Sequence, residues 1–252
     1  MCSKIERTEF KVYPFHTDFQ GKLSMSVLGN HLLNCSENHA VNRGFGEMAK
    51  NGTVYRWVLS RLVIEMFEMP KNGDKFFIDT WISNVYLYFT DRNYRITDSE
   101  GKAIGYAKAV WAMIDQADRK PKDLHELHGT TIDQYIDEET ECPIAKASRV
   151  KPLAEDTYTK SIDTEYSDID LNGHVNSIKY IEHILNLFNL EHYKQMSVKR
   201  FEIAYMAESY YGDVLRLYLR DNANGTFDAE AQKDSHDDAK NTVLVRCSIK
   251  FE

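Results

Sequence analysis

The chain has 252 residues, 42% of them hydrophobic, and is long enough for one large core or for two domains of about 100 to 130 residues. Its formal net charge of -8 disfavours a general nucleic-acid or anionic-membrane binder, because neutralising phosphates requires a net basic surface. The chain begins without a secretory apolar run, and no stretch approaches the roughly 18 apolar residues that cross a bilayer, so we expect an intracellular protein.

Taken in chain order, the first predicted element is a helix from about Ser24 to Val41, where apolar residues recur every three or four positions. Residues 76–83 are predicted to form a strand, because their residue types alternate with a period of two. A second amphipathic helix is predicted over residues 175–188, and a last strand over 243–251. Each helix and strand is expected to bury one face.

Turn-forming residues separate several of the predicted strands. They occupy residues 71–74, 98–101 and 222–225, and each includes a glycine. Because these gaps are as short as hairpin loops, we expect mainly antiparallel sheets.

A weak internal repeat relates the two halves of the chain. Thr17-Asp18-Phe19 resembles Ser167-Asp168-Ile169, and each precedes a predicted helix. The segments that begin at Arg61 and Arg200 each reach a Gly-Asp pair in twelve steps. Each half is therefore predicted to be a helix followed by an antiparallel sheet, which is an α+β class and, in tandem, a double hot-dog fold. We expect an N-terminal domain over residues 1–130, a connector over 131–151 and a C-terminal domain over 152–252.

The segment before the second predicted helix carries three polar residues at alternate positions, Asp170, Asn172 and His174. In an extended backbone these side chains would project to one side, near the positive end of the helix dipole, where a developing oxyanion is favoured. Helix capping explains the same residues without any chemistry. The two halves differ at this segment. When Thr17-Asp18 is aligned with Ser167-Asp168, the first half has no equivalent of the acid, the amide or the imidazole. On this alignment, and with the two Gly-Asp pairs superposed, Asp170, Asn172, His174 and Glu208 fall on Gln20, Lys22, Ser24 and Met69.

Calcium is a third interpretation of this segment. Asp168-x-Asp170-x-Asn172-Gly173 copies the opening of an EF-hand loop, but its twelfth position is Lys179, where a bidentate glutamate is required. The four cysteines form neither a CxxC pair nor a Cys/His spacing. We therefore expect neither a metal nor a cofactor.

These residues resemble the acyl-ACP thioesterases of plant plastids and bacteria. The resemblance lies at Asp170-x-Asn172-x-His174-Val175-Asn176-x-x-Lys179-Tyr180-Ile181, at Tyr205-x-x-Glu208, and in the first half at Asn30–Leu32, Trp57–Arg61, Asp79–Ser83 and Val110–Met113. It implies a double hot-dog fold, an acyl tunnel lined mainly by the first domain, and a catalytic site of Asp170, Asn172, His174 and Glu208. Plant members commonly have cysteine after the glutamate, whereas this chain has Ser209, which disfavours a cysteine nucleophile.

The resemblance further implies hydrolysis of fatty acyl-ACP thioesters to free fatty acid and holo-ACP. The partner would be acyl carrier protein with its acyl group on 4'-phosphopantetheine, with no nucleic acid and no membrane insertion, and a homodimer is one expected assembly. Basic residues that could dock this acidic partner are Arg119, Lys120 and Lys122, or Lys146, Arg149 and Lys151. The lack of a transit peptide favours a bacterial cytoplasmic enzyme.

The mechanism that we expect assigns a role to each of the four site residues. Glu208 with His174 would orient and deprotonate a water, Asn172 would fix water or substrate, and Asp170 would hold His174 or Asn172. Backbone N–H groups near Val175 would receive the oxyanion. The alternatives are an acyl-CoA thioesterase, an enoyl-thioester hydratase and a non-catalytic acyl-binding protein. The hydratase signature, Asp-x-Asn-Pro-x-His, is one residue longer than the segment found here.

Overall fold

The computed structural model describes residues 3–234 and 241–252, so Cys2 lies outside the described residues. The chain divides into two compact units, Met1–Lys146 and Ala147–Glu252. The division falls within the predicted connector, residues 131–151. In the described part of the chain, none of the helices is long and apolar enough to cross a membrane.

The N-terminal unit packs one long helix on an antiparallel sheet. Its strands occur in the order β1-β4-β5-β6-β3, with β2 paired to β3. The elements are β1 (Glu6–Lys11), α1 (Met25–Asn42), β2 (Met48–Lys50), β3 (Thr53–Met66), β4 (Lys75–Val85), β5 (Phe89–Asp98), β6 (Ala103–Asp115) and α2 (Leu124–His128).

Helix α1 confirms the first sequence prediction. The Ser24 side chain caps the helix by accepting a hydrogen bond from the Val27 N–H. The predicted apolar stripe is buried as expected, and its members are Met25, Leu28, Leu32 and Cys35.

The predicted strand at 76–83 is β4, but the expectation of a single buried face is wrong in its middle. Asp79 and Trp81, on the face that was expected to be exposed, are buried like the residues of the other face, because β4 lies between β1 and β5. The Asp79 carboxylate is compensated by guanidinium groups from both neighbouring strands, Arg95 at 2.8 Å and Arg7 at 3.5 Å. Burial of this charge therefore depends on two cationic partners.

The C-terminal unit repeats the arrangement, with antiparallel strands in the order β8-β11-β10-β9-β7. Each unit therefore has the α+β hot-dog arrangement predicted from the sequence. The elements are β7 (Tyr158–Asp163), α3 (Ser177–Leu185), α4 (Leu190–Gln195), β8 (Val198–Tyr205), β9 (Val214–Asp221), β10 (Thr226–Lys233) and β11 (Thr242–Phe251).

Helix α3 is shorter than the predicted helix at 175–188. Asn176 caps its start by accepting the Ile178 N–H at 2.9 Å, which leaves Val175 outside the helix. The chain turns after Leu185, and Phe188 packs its ring against Phe251 at a centroid distance of 4.8 Å. The apolar period thus continues beyond the helix because Phe188 is still directed into the core.

Two of the three predicted hairpin turns connect paired strands. Residues 98–101 join β5 to β6, and residues 222–225 join β9 to β10. Residues 71–74 also form a turn, closed by the Asp74 N–H on the Lys71 carbonyl at 3.0 Å. This turn leads from β3 to β4, and β4 pairs with β1 and β5, so the hairpin predicted here is wrong.

A buried imidazole in the N-terminal unit makes stability depend on pH. His39 bonds the Lys4 carbonyl through Nε2 at 2.9 Å, and its Nδ1 lies 3.4 Å from the Arg92 guanidinium. A neutral ring with its proton on Nε2 satisfies both contacts. Burial, reinforced by the Arg92 charge, lowers the pKa of His39 to about 2.

We expect this histidine to make the fold acid-labile. Because the unfolded chain protonates His39 near pH 6.5 and the folded chain does not, stability present at neutral pH is lost as pH falls. Between pH 7.5 and 5 the loss from this residue is about 2 kcal/mol. Denaturant unfolding of His39→Gln should show a shallower decline over that range. An unchanged decline would contradict the assignment.

Candidate active site

The loop before α3 is a closed turn built around the Asp170 carboxylate. Asp170 Oδ1 accepts the backbone N–H groups of Asn172 at 2.8 Å and His174 at 3.2 Å. The Asp170 N–H donates to the His174 carbonyl at 2.8 Å, and Gly173 has φ +82°, a conformation that favours glycine. The expectation of an extended segment with three converging side chains is therefore wrong, because these bonds close the backbone on itself.

Backbone pairing holds this turn against the segment that follows β8. The Val175 N–H donates to the Ser209 carbonyl at 2.8 Å, and His174 and Tyr210 are antiparallel bridge partners. The Asn176 N–H is bonded to the Asp168 carbonyl at 2.8 Å. The N–H groups of Val175 and Asn176 are thus occupied by protein carbonyls, so these two cannot serve as the expected oxyanion donors in this arrangement.

The same pairing brings His174 and Glu208 together. His174 Nε2 lies 3.5 Å from Glu208 Oε2, and the two side chains retain 20% and 37% of their accessible surface. Both groups are therefore within reach of a water and a substrate. A carboxylate beside an imidazole can accept a proton from water while the imidazole orients it.

The other two predicted residues occupy different places. Asn172 is exposed at the tip of the turn, where its backbone N–H binds Asp170. Asp170 acts on His174 through the backbone N–H of that residue. The structure therefore pairs His174 with Glu208, assigns Asp170 to the turn and leaves the Asn172 side chain facing outwards.

The calcium interpretation conflicts with the same geometry. Asp168 Oδ1 lies 3.0 Å from His183 Nε2, and its Oδ2 accepts the Glu165 N–H at 2.8 Å. The carboxylates of Asp168 and Asp170 are thus both bound to protein donors. Within residues 3–234 and 241–252, no cluster of three or more His, Cys, Asp or Glu side chains could hold a metal ion.

A matching turn in the N-terminal unit corrects the internal alignment. Asp18 Oδ1 accepts the N–H groups of Gln20 at 2.8 Å and Lys22 at 3.0 Å, as Asp170 Oδ1 does two and four residues downstream. The turn begins and ends with a Thr17–Leu23 bridge, equivalent to the Ile169–Val175 bridge. Asp18 is therefore the counterpart of Asp170, and the prediction that the first half lacks this acid is wrong. Local residue similarity placed the sequence alignment two positions out of register.

The corrected alignment separates a shared scaffold from residues found in one unit. In the corrected alignment Lys22 is equivalent to His174, and Gln20 is equivalent to Asn172. The Leu23 N–H donates to the Pro70 carbonyl at 2.8 Å, as the Val175 N–H donates to the Ser209 carbonyl. Pro70 is therefore equivalent to Ser209, and Met69 remains equivalent to Glu208. The imidazole and the carboxylate thus belong to the C-terminal unit alone, whereas the aspartate that closes the turn is common to both.

Sequence reasoning missed a network beside this pair. Asp213 Oδ2 accepts the Tyr210 N–H and the Ser209 hydroxyl at 2.9 Å each, and binds Lys233 Nζ at 2.8 Å. Burial on its own raises the pKa of Asp213, but these three hydrogen bonds outweigh it and hold the pKa below its usual range. Ser209 is fully buried, and its hydroxyl is bound to Asp213. The repeated Gly-Asp pair was the available signal for Asp213.

Comparison with known proteins identifies the class. A family model for the acyl-ACP thioesterase N-terminal domain matches residues 3–128, and the model for the C-terminal domain matches residues 151–251. The chain therefore belongs to the acyl-ACP thioesterase family, as its motifs predicted.

Individual relatives agree with this placement. An acyl-ACP thioesterase of Bacteroides thetaiotaomicron is 48% identical, with a TM-score of 0.90 over 99% of this chain and 98% of that one. The 12:0-ACP thioesterase of Umbellularia californica shares the fold, with a TM-score of 0.85 at 15% identity over 100% and 98% of the two chains. These likenesses confirm the double hot-dog fold.

A curated relative extends the comparison to plants. The chloroplastic palmitoyl-acyl carrier protein thioesterase of Arabidopsis thaliana is 25% identical over 214 residues, which are 80% of this chain and 52% of the relative. The chain thus spans about half the length of the curated relatives that it matches.

Proposed function

We propose that this chain hydrolyses fatty acyl-ACP thioesters to free fatty acid and holo-ACP. The observation that carries the proposal is the 3.5 Å contact between His174 and Glu208. Both residues lie in the C-terminal unit, which matches the C-terminal domain of the acyl-ACP thioesterase family. The 48% identity to the Bacteroides thioesterase supports the reaction class. A bacterial cytoplasmic origin stays a prediction of the same kind.

In the proposed mechanism the Glu208 carboxylate takes a proton from a water that His174 orients. The water oxygen attacks the thioester carbonyl carbon, and a tetrahedral intermediate forms. The carbon–sulfur bond then breaks, and the proton held by Glu208 passes to the departing pantetheine sulfur. Asn172, at the exposed tip of the turn, contacts the substrate, while Asp170 fixes the backbone that carries His174.

We assign the acyl chain to the N-terminal unit. Support comes from a pocket there that is partly open to solvent. Its walls include Leu33 and Ala40 from α1, and Trp57, Ile82 and Trp111 from the sheet. These apolar side chains support the assignment, and the rest of the lining is polar: Ser36, Glu37, Thr90 and Arg92.

The carrier is proposed to dock through two of the six basic residues considered above. Lys122 binds Asp118 at 2.9 Å and Lys146 binds Asp91 at 3.0 Å, so these cations are already compensated, and Arg119 and Lys120 belong to the N-terminal unit. Arg149 and Lys151 are exposed and lie near the start of the C-terminal unit, which also holds His174 and Glu208. An acidic carrier would complement them.

The carrier specificity is tested with matched substrates. Acyl chains of graded length, attached either to ACP or to coenzyme A, are offered to the purified chain, and released fatty acid and free thiol are quantified. We expect kcat/KM for acyl-ACP to exceed that for acyl-CoA by about tenfold or more, because only the carrier protein adds contacts beyond the shared pantetheine arm. Equal or better turnover of acyl-CoA would contradict the carrier assignment, and binding without release would contradict hydrolysis.

A further inference from the structure

The two units allow a comparison of what surrounds the scaffold turn. In the N-terminal unit Asp74 Oδ2 accepts the Lys71 N–H at 2.8 Å, as Asp213 Oδ2 accepts the Tyr210 N–H in the C-terminal unit. Lys71 is also the bridge partner of Lys22, just as Tyr210 is the bridge partner of His174. The backbone is therefore the same in both units, and the side chains at these positions differ.

In the C-terminal unit those side chains form an aromatic pair. The rings of Tyr210 and His174 lie 5.1 Å apart at 76°. A bridge pairing places side chains of opposed residues next to each other, and an edge-to-face arrangement is favourable for aromatic rings. The equivalent positions of the N-terminal unit are Lys22 and Lys71, two like charges. The shared backbone pairing therefore does not by itself require an aromatic pair.

A cation holds the Tyr210 ring. Lys233 Nζ lies 4.9 Å from the ring centroid and is itself bound to Asp213 at 2.8 Å. The strand position of Lys233, paired with Leu215 on β9, corresponds to Asp98 in the N-terminal unit, which is paired with Phe76. The cation is thus another feature that only the unit with His174 and Glu208 possesses.

We infer that Tyr210 is a positioning residue for His174, and that Lys233 fixes the Tyr210 ring. His174 is a short side chain whose ring can rotate, and its carboxylate contact at 3.5 Å is long for a hydrogen bond. The Tyr210 ring supplies a second contact that limits this rotation. The inference rests on the proposed function, because positioning matters only where His174 takes part in the reaction. The aromatic ring of Tyr210, and not its hydroxyl, is needed for this role, since the ring makes the contacts with both His174 and Lys233.

The test compares Tyr210→Ala with Tyr210→Phe, and uses Lys71→Ala as the matched control at the equivalent position of the N-terminal unit. We expect Tyr210→Ala to lower kcat for acyl-ACP about 10- to 100-fold, with KM changed by less than about twofold, because a small misplacement of a catalytic group is that costly. Tyr210→Phe should restore kcat to within about twofold of the original chain. Lys71→Ala should leave kcat unchanged.

An NMR measurement separates this inference from the proposed reaction. The His174 ring-proton signals, assigned by their loss in His174→Gln, should move in Tyr210→Ala and stay in place in Tyr210→Phe. This readout needs no substrate, so it tests the contact between the Tyr210 and His174 rings even if the original chain fails to hydrolyse acyl-ACP, which would overturn the proposed function. Unmoved His174 signals in Tyr210→Ala, or a phenylalanine variant as slow as the alanine variant, would overturn the inference.

Discussion

Glu208→Gln is expected to lower kcat for acyl-ACP hydrolysis by at least about a hundredfold, because a positioned general base contributes that much or more. Glutamine keeps the size of the side chain and a hydrogen-bonding oxygen, but it cannot accept the proton of the attacking water. His174→Gln should show a loss of similar size, since the imidazole that orients the water is removed. Because the two groups lie 3.5 Å apart and act on one water, the double variant should be little slower than either single one.

A matched control is available for the glutamate. Glu182 is in the same unit, is ion-paired to Lys179 at 2.7 Å, and has 36% of its side-chain surface accessible, compared with 37% for Glu208. Glu182→Gln should keep kcat within about twofold, because a partly exposed surface pair contributes little beyond the charge itself. Near-normal turnover in Glu208→Gln, or an equal loss in Glu182→Gln, would refute the assignment of the base.

Asp170→Ala and Asp18→Ala form the second informative pair. Each aspartate closes an equivalent turn by accepting two backbone N–H groups. Both substitutions should therefore lower the free energy of unfolding by roughly 1 kcal/mol, measured by denaturant titration, because charge-assisted hydrogen bonds are lost at partly exposed sites. Only Asp170→Ala should also lower kcat, by about tenfold or more, since the turn that it loosens carries His174.

The outcome is diagnostic because the two turns share one geometry. Equal kcat in both variants would show that the turn in the C-terminal unit does not position His174 for catalysis. A kcat loss in Asp170→Ala as large as that in Glu208→Gln would instead indicate a direct chemical role for the Asp170 carboxylate. The expected result lies between these two.

Regular elements could be predicted from the sequence because their residue periods are set by their geometry. Ser24 and the buried stripe of α1 fixed both the start and the inward face of that helix. The same reasoning overextended α3, since apolar spacing cannot reveal that Asn176 caps the helix, while outside it Val175 is buried and Phe188 packs against Phe251. It also misjudged Asp79, whose burial depends on arginines from two neighbouring strands.

The residues of the site could be predicted from the sequence, but the contacts between them could not, because those contacts depend on pairing between distant segments. His174 and Glu208 were identified by motif and by resemblance, yet their contact depends on the pairing of Val175 with Ser209, which no local pattern encodes. Asp170 was expected to hold His174 or Asn172, but the closed turn through which its carboxylate binds both backbone N–H groups was not foreseen, because an extended backbone was assumed. Lys233 is far from Tyr210 along the chain and reaches it only because β10 pairs with β9.

The most direct test of the central claim is a progress curve of acyl-ACP incubated with the purified chain, recording free fatty acid and holo-ACP together. We predict that both products appear in equal amounts over many turnovers, and that Glu208→Gln binds acyl-ACP with similar affinity while releasing neither product at a comparable rate. Acyl-ACP that remains intact with the original chain, or product release unaffected by Glu208→Gln, would contradict hydrolysis at the His174–Glu208 site.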